Sequence, residues 1–291
     1  MKWEGQRQSD NIEDRRGGGA GRAAGKLGIG SIVIGLAVSY FLGINPMQAI
    51  QMVGGVQNSL GGGQAASTGA KPQGDSADPQ TTFVRTVVAD TEDVWGKIFA
   101  AQGARYQDPT MVLYSGSTPT ACGAGQAAMG PFYCPGDHKM YLDLDFFQTL
   151  ATRLNSPGEF AQAYVIAHEV GHHIQKLTGI SDQMDAMRRK LSEKDYNQLS
   201  VRLELQADCY AGVWAHHANV DRQILEAGDI ESALQAASQI GDDTLQKQAQ
   251  GYAVPDSFTH GSSAQRVRWF RTGFDSGDTQ QCNTFAQGAQ V

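Results

Sequence analysis

What the chain lacks narrows it first. No glycine-rich phosphate loop follows a strand pattern, and no basic stripe with interleaved aromatics runs along any segment. The formal charge is −7, which argues against a nucleic-acid partner. No two cysteines stand at C-x-x-C spacing, so a cysteine-built zinc site is disfavoured. No internal repeat is present. Charge itself is missing from residues 27–44, and that absence is informative.

Those eighteen uncharged residues are just long enough to cross a bilayer core of about 30 Å. Arg15, Arg16, Arg22 and Lys26 precede them, so the positive-inside rule places the N-terminus in the cytoplasm and the remainder outside. A cleaved signal peptide is the competing reading. The twenty-six-residue leader is long for one, and no small-x-small cleavage site follows Phe41-Leu42, which favours an uncleaved anchor. The expected organisation is a charged cytoplasmic leader over 1–26, a transmembrane anchor over 27–44 and a flexible linker over 45–80. The linker is rich in Gly, Gln, Ser and Ala, and as a coil it reaches roughly 30–36 Å. Residues 81–291 are then enough for one domain with its own core.

Cysteine usage agrees with that arrangement. Cys122, Cys134, Cys209 and Cys282 all follow the anchor, an even count that suits two disulfides in an oxidising compartment. Three pairings are possible. Cys122–Cys134, closing a Gly-rich hairpin-like loop, and Cys209–Cys282, tying the C-terminal tail to a helix, are the favoured pair.

The most informative residues are His168-Glu169-Val170-Gly171-His172, an H-E-x-x-H inside a segment with helical periodicity. Phe160, Tyr164, Ala167, Gly171 and Ile174 recur at three- and four-residue steps, which makes a buried stripe. Ser156 as N-cap, Pro157 in the first turn and Glu159 as a capping-box partner mark the expected start, and Gly179 the stop. On a helix, two imidazoles four apart share one face with Cβ atoms roughly 5–6 Å apart, close enough to grip one ion. The intervening glutamate lies about a hundred degrees round, beside the ion, where it can take a proton from attacking water.

Two imidazoles need a third protein ligand, with a fourth position left for water. Glu204, thirty-two positions after His172, is the candidate. Leu203, Ala207, Tyr210 and Trp214 mark a second helical stripe, with Glu204 and Asp208 one turn apart beside it. Asp208 would accept the N–H of a ligand histidine and fix its ring angle. In isolation, Glu204 and Asp208 would read as solvated charges on an amphipathic helix; downstream of H-E-x-x-H the ligand reading prevails. His173 points away from the pair, His216 and His217 suit a helix terminus, and His138 lies in a turn; none is a candidate ligand.

With these residues in hand the chain resembles a known family. His168–His172 with Glu204-x-x-x-Asp208 is similar to the glutamate-zincin pattern of thermolysin-like and HtpX-like metallopeptidases. Lys2-Trp3-Glu4-Gly5, the run from Ser9 to Gly17, Tyr133-Cys134-Pro135, Tyr141-Leu142-Asp143-Leu144 and the run from Ser257 to Arg266 resemble the bacterial neutral zinc metallopeptidases of the YpfJ type. The resemblance covers nearly all of the chain except 45–80. It implies an α+β, zincin-like domain, mostly helical with a small sheet, carried by one transmembrane helix in the bacterial cytoplasmic membrane with the catalytic domain on the outer or periplasmic face. It implies one Zn²⁺ on His168, His172 and Glu204, with Glu169 as general base. His260 and Arg266 resemble the H-x-x-x-x-x-R element of HtpX-like domains, which implies an oxyanion or substrate-backbone donor. The same stretch also reads simply as a helix start, with Ser262 or Ser263 capping a helix ended by Gly273.

The expected function is a zinc-dependent endopeptidase acting on peptide or unfolded protein, with the bilayer held through 27–44. The alternative is a catalytically silent zinc-binding adaptor or scaffold, which would keep the ligands and dispense with Glu169. Residues 139–146 alternate by two and read as a strand just before the active-site helix. As a sheet edge it would pair with extended substrate by strand addition. Elsewhere 83–99 reads as a helix, 111–115 as a strand, and 181–218 and 229–251 as helical in pieces.

Overall fold

The computed structural model describes residues 1–16 and 78–291. The expected anchor, 27–44, and nearly all of the expected linker lie outside the described residues. Among the described residues no helix is long and apolar enough to cross a membrane.

The first helix, α1 (Pro79–Ala101), begins where a cap and a proline coincide. Asp78 accepts from the backbone N–H groups of Gln80 and Thr81, and Pro79 occupies the first turn, where its missing N–H costs nothing. The helix therefore starts at Pro79, earlier than the expected 83. Phe83, Val84, Val87, Val88, Val94 and Trp95 point inward and carry α1 into the main core. A four-stranded sheet lies beside it in the order β1-β2-β6-β5. Strand β1 (Ile12–Asp14) runs parallel to β2 (Thr110–Tyr114), β2 parallel to β6 (Lys139–Asp143), and β5 (Phe132–Cys134) antiparallel to β6. A separate hairpin, β3 (Ser117–Thr120) with β4 (Gly123–Gln126), interrupts the crossover from β2 to β6.

Two expectations change here. Strand β6 is not an edge: it is hydrogen-bonded to β2 on one side and β5 on the other, and Met140, Tyr141 and Leu142 are buried. The edge beside it is β5. The second correction concerns the leader. Residues 1–16 belong to the same compact unit as the rest of the domain. Ile12, Glu13 and Asp14 register against Met111, Val112 and Leu113. Ser9 is fully buried and donates to Glu92, which also accepts from Asn11 and Arg7. Arg16, counted above as a flanking charge, donates to Asp14, Asp78 and Thr81. A strand cannot be hydrogen-bonded to a partner across a bilayer, since the ladder N–H and C=O groups must meet directly. Residues 12–14 and the strand they pair with therefore lie on one side of any membrane.

Helices build the rest: α2 (Asp145–Thr152), α3 (Glu159–Leu177), α4 (Ile180–Arg188), α5 (Glu193–Arg222), α6 (Asp229–Gln239), α7 (Asp242–Gln250) and α8 (Ser263–Ser276). Ser156 does not cap α3. Its hydroxyl donates to the Leu154 carbonyl, and the chain enters the helix through Gly158 at φ 120°, a conformation that favours glycine. Ser262 does cap α8, in a full capping box with Gln265. That helix runs through Gly273 and stops at Gly277, whose φ is 63°. Gly273 serves another purpose. A Cβ there would lie 1.9 Å from the Cys209 carbonyl oxygen, and one at Gly212 would lie 2.1 Å from that of Phe270. The two glycines let α8 lie directly on α5.

Both favoured disulfides are present, Cys122–Cys134 and Cys209–Cys282.

Candidate metal centre

Three helices meet where the motif residues lie. Helices α3 and α5 touch at Gly171, where an added Cβ would sit 2.9 Å from both the Cα and the carbonyl oxygen of Ala207. Gly171 precedes His172, and Ala207 precedes Asp208, so this contact sets the reach between the two motifs. His168 Nε2 stands 3.1 Å from Glu204 Oε2, and His172 Nε2 stands 3.5 Å from the same oxygen. One ligand atom from each of the three residues lies within 4.8 Å of the others. The expected ligands are thus brought together.

Each imidazole is held by its other nitrogen. His168 Nδ1 is 2.8 Å from Asp208 Oδ1, the contact expected from the sequence. Asp208 in turn accepts from the Tyr164 hydroxyl at 2.6 Å and from Arg266 through both Nε, at 2.8 Å, and Nη2, at 2.9 Å. His172 Nδ1 is 2.9 Å from the side-chain oxygen of Gln175. With both Nδ1 atoms engaged, the two Nε2 atoms are the ones left to face Glu204. This donor set, two imidazoles and one carboxylate within reach of one point, fits a zinc ion, for which three protein ligands leave a fourth position for water.

Electrostatics point the same way. Burial alone would lower the pKa of His172, but the Glu204 carboxylate overrides it and pushes the imidazole up to about 9. His168 is likewise raised, against its own burial, by Asp208 and Glu204. Burial would raise Glu204, yet His172, His260 and His168 hold it well below the ordinary carboxylate range. Asp208, fully buried, is held at about 2 by Arg266 and His168 despite its desolvation. A negative focus of this kind draws a cation to the point between the three ligand atoms.

Glu169 behaves differently. It is 7% exposed, its pKa is raised by burial with only partial relief from His172 and His168, and it makes no side-chain hydrogen bond among the described residues. A buried carboxylate without a partner is costly, and such groups concentrate at functional sites.

Of the two remaining expected residues, one stands at the cleft and one does not. His260 has a side chain 54% exposed, and the charges of Glu204 and Asp242 raise its pKa against partial burial. Its loop is pinned by Asp242, which accepts from the backbone N–H groups of Thr259, His260 and Gly261 at 2.8, 2.7 and 3.0 Å. Arg266 is 2% exposed and spent on Asp208, Tyr164 and the Ile240 carbonyl. It stands behind His168, so the oxyanion-donor expectation for Arg266 is corrected: a guanidinium whose fork is committed to a buried carboxylate cannot also face substrate.

Sequence reading missed Tyr164, Gln175 and Asp242. Tyr164 read as part of an apolar stripe, although its spacing of four from His168 put its hydroxyl on the right face. Gln175 is three residues past His172, a spacing that places two side chains on one face. Asp242 had no local signal. His216 and His217 do serve a helix terminus, but that of α8, through the carbonyls of Phe274 and Gly277. His173 locks β5 to α3: its Nε2–H donates to the Gln107 carbonyl at 2.6 Å, so its Nδ1 accepts from the Tyr133 hydroxyl at 3.0 Å. Burial pushes its pKa down to about 4, which keeps it neutral for that role.

Comparison with known proteins agrees with the site. The family described as "Putative neutral zinc metallopeptidase" matches residues 1–285. An uncharacterized protein YpfJ of Escherichia coli (strain K12) is 45% identical over 296 residues, which is 99% of each chain. An uncharacterized protein Rv2575 of Mycobacterium tuberculosis is 44% identical over 191 residues, covering 62% of this chain and 64% of that one. No solved structure matches.

Proposed function

Because the chain belongs to the neutral zinc metallopeptidase family, we propose that it is a zinc-dependent endopeptidase of zincin type, cleaving peptide bonds in extended or unfolded protein. One observation carries this reading: a buried, unpaired carboxylate, Glu169, beside a three-ligand cluster. A zinc site kept only for structure or for docking a partner has no use for such a group.

His168, His172 and Glu204 would hold one Zn²⁺, which when bound supplies a Lewis acid that polarises the scissile carbonyl and acidifies water. Glu169 takes the proton of the attacking water as the C–O bond forms. It then delivers that proton to the amine nitrogen as the C–N bond breaks. Its raised pKa suits both transfers, since a base too weakly basic would not hold the proton between them. His260, partly exposed and drawn toward its protonated form, is the side chain able to donate to the oxyanion. Arg266 acts only through Asp208.

Substrate would add as a strand to β5 rather than β6, since β5 is the edge next to the metal helix and Tyr133 ties it to His173. Backbone pairing of this kind favours extended segments with loose sequence preference.

The two disulfides support an oxidising compartment outside the bacterial cytoplasmic membrane, with residues 1–16 on that side as well. Attachment to the bilayer is proposed through 27–44. A Gln8→Cys variant, treated in spheroplasts with a membrane-impermeant maleimide, is expected to label. Labelling only after lysis would return the N-terminus to the cytoplasm.

Glu169→Gln tests the catalytic reading. Zinc content is expected to stay near one per chain while hydrolysis of an unfolded casein-like substrate falls by on the order of a thousand-fold or more. Undiminished cleavage would exclude Glu169 as the base.

A further inference from the structure

His168 has an obvious support in Asp208, but the support of His172 is a neutral amide, and a carboxamide can turn either end toward its neighbour. Which end Gln175 presents decides whether it helps or hinders metal binding. An oxygen accepts the Nδ1–H of His172 and leaves Nε2 free for an ion. An amino group would demand the lone pair of Nδ1 and put the proton on Nε2, where the ion must go.

Two backbone carbonyls decide the matter, and a carbonyl can only accept. Gln175 Nε2 lies 2.6 Å from the Leu203 carbonyl oxygen and 3.1 Å from Gln206 Oε1. Turned over, Gln175 would set oxygen against oxygen at both contacts. Gln206 cannot turn to relieve it, because its own Nε2 lies 3.0 Å from the Cys282 carbonyl oxygen. Gln175, Gln206 and Cys282 are 0%, 4% and 0% exposed, so bulk water does not replace a lost partner. The hydrogen bonds therefore run one way, from His172 to Gln175, from Gln175 to Gln206, and from Gln206 to Cys282.

The far end is itself anchored. Cys282 lies in the short 3₁₀ turn Thr279–Cys282 and is bound to Cys209, the residue after Asp208 on α5. Thr284 donates to the Arg202 carbonyl and accepts from the Arg202 side chain, which fastens the tail to the same helix two residues before Glu204. The tail is thus clamped across the turns of α5 that carry Glu204 and Asp208.

We propose that Gln175 is the positioning residue of His172, fixing it with Nδ1 protonated and Nε2 aimed at the metal, and that the disulfide-tied C-terminal tail holds Gln175 in this orientation through Gln206. The inference rests on the zinc-site reading but not on peptide hydrolysis, so its test uses metal affinity.

Zinc dissociation constants are measured by competition with a chelator on the full chain, with the melting temperature of the zinc-free protein taken alongside. Gln175→Leu is expected to weaken zinc binding on the order of 10- to 100-fold. Gln206→Leu should weaken it less, since the Leu203 carbonyl still orients Gln175, and it is the variant that keeps the test open if Gln175→Leu fails to fold. The double variant should bind zinc no more weakly than Gln175→Leu alone, because Gln206 acts only through Gln175. A purely structural role would lower the melting temperature and leave affinity within about two-fold of wild type; that result overturns the proposal, as does an additive double variant. A folded Gln206→Leu chain with unchanged affinity removes the tail from the account. A wild-type chain that takes up no zinc overturns the metal site itself, and this proposal with it.

Discussion

The two imidazoles of the centre are held from behind by opposite kinds of group. His168 rests on ions: Asp208 carries a full charge, matched by Arg266 through two hydrogen bonds. His172 rests on amides and carbonyls, none of them charged. The ionic side strengthens its histidine as a ligand, because a carboxylate stabilises positive charge drawn onto the ring. It also needs Arg266, since an uncompensated buried carboxylate would add a second negative charge beside Glu204 and shift Asp208 toward protonation. The amide side adds no charge, so the ligand set stays at one formal negative charge, that of Glu204. A bound divalent ion then keeps net positive character, which it needs to act as a Lewis acid.

The largest effect is expected on the ionic side. Asp208→Ala leaves a fully buried guanidinium without its counter-ion, which costs about 3–5 kcal/mol, and it removes the support of His168 at the same time. A melting curve of the zinc-free protein should show the loss directly. Equal losses of zinc-free stability from Asp208→Ala and Gln175→Leu would break the comparison, because amide partners are worth less than charged ones.

A gentler effect comes from pH, through the histidines of both sides, whose pKa values are both raised; His172 carries the larger shift. The pKa of His172 is raised from an ordinary 6.5 to about 9, chiefly by Glu204 against the pull of burial. Its proton competes with zinc for Nε2, so zinc affinity should climb with pH above neutrality and level off above about 9. The zinc-free protein should do the reverse. A raised pKa contributes stability that is complete below 6.5 and is lost as pH rises through about 9. On the ionic side Asp208, held at about 2, stays charged throughout this window and adds no slope. Chelator competition at pH 6, 7.5 and 9 checks the first trend and melting curves check the second; a flat zinc affinity would mean that Glu204 does not govern His172.

The same contrast explains what could be read without coordinates. His168, Glu169, His172, Glu204 and Asp208 declare themselves because helical periodicity turns spacing into a face, and function forces those residue types onto it. The Cys209–Cys282 pairing is favoured for a similar reason: Cys209 is on the Glu204 helix, and the tail has one cysteine to offer. Arg266 was misassigned because its partner is 58 residues away and no pattern within α8 says whether it looks toward the cleft or away from it. Strand β6 was taken for an edge because alternation reports one buried face and not the number of neighbours. The N-terminal segment reads as a leader because its arginines precede an apolar run; that Arg16 also meets Asp78, and that Ile12 pairs with Met111, depends on contacts between segments some 60 to 100 residues apart.

The central claim is that a metal-centred cluster works with one buried carboxylate that is not a ligand. It is tested most directly by zinc content and peptide hydrolysis measured together on wild type and Glu169→Gln. The account predicts about one zinc per chain in both and cleavage of unfolded substrate in wild type alone. Loss of zinc from Glu169→Gln, or cleavage that survives the substitution, would contradict it.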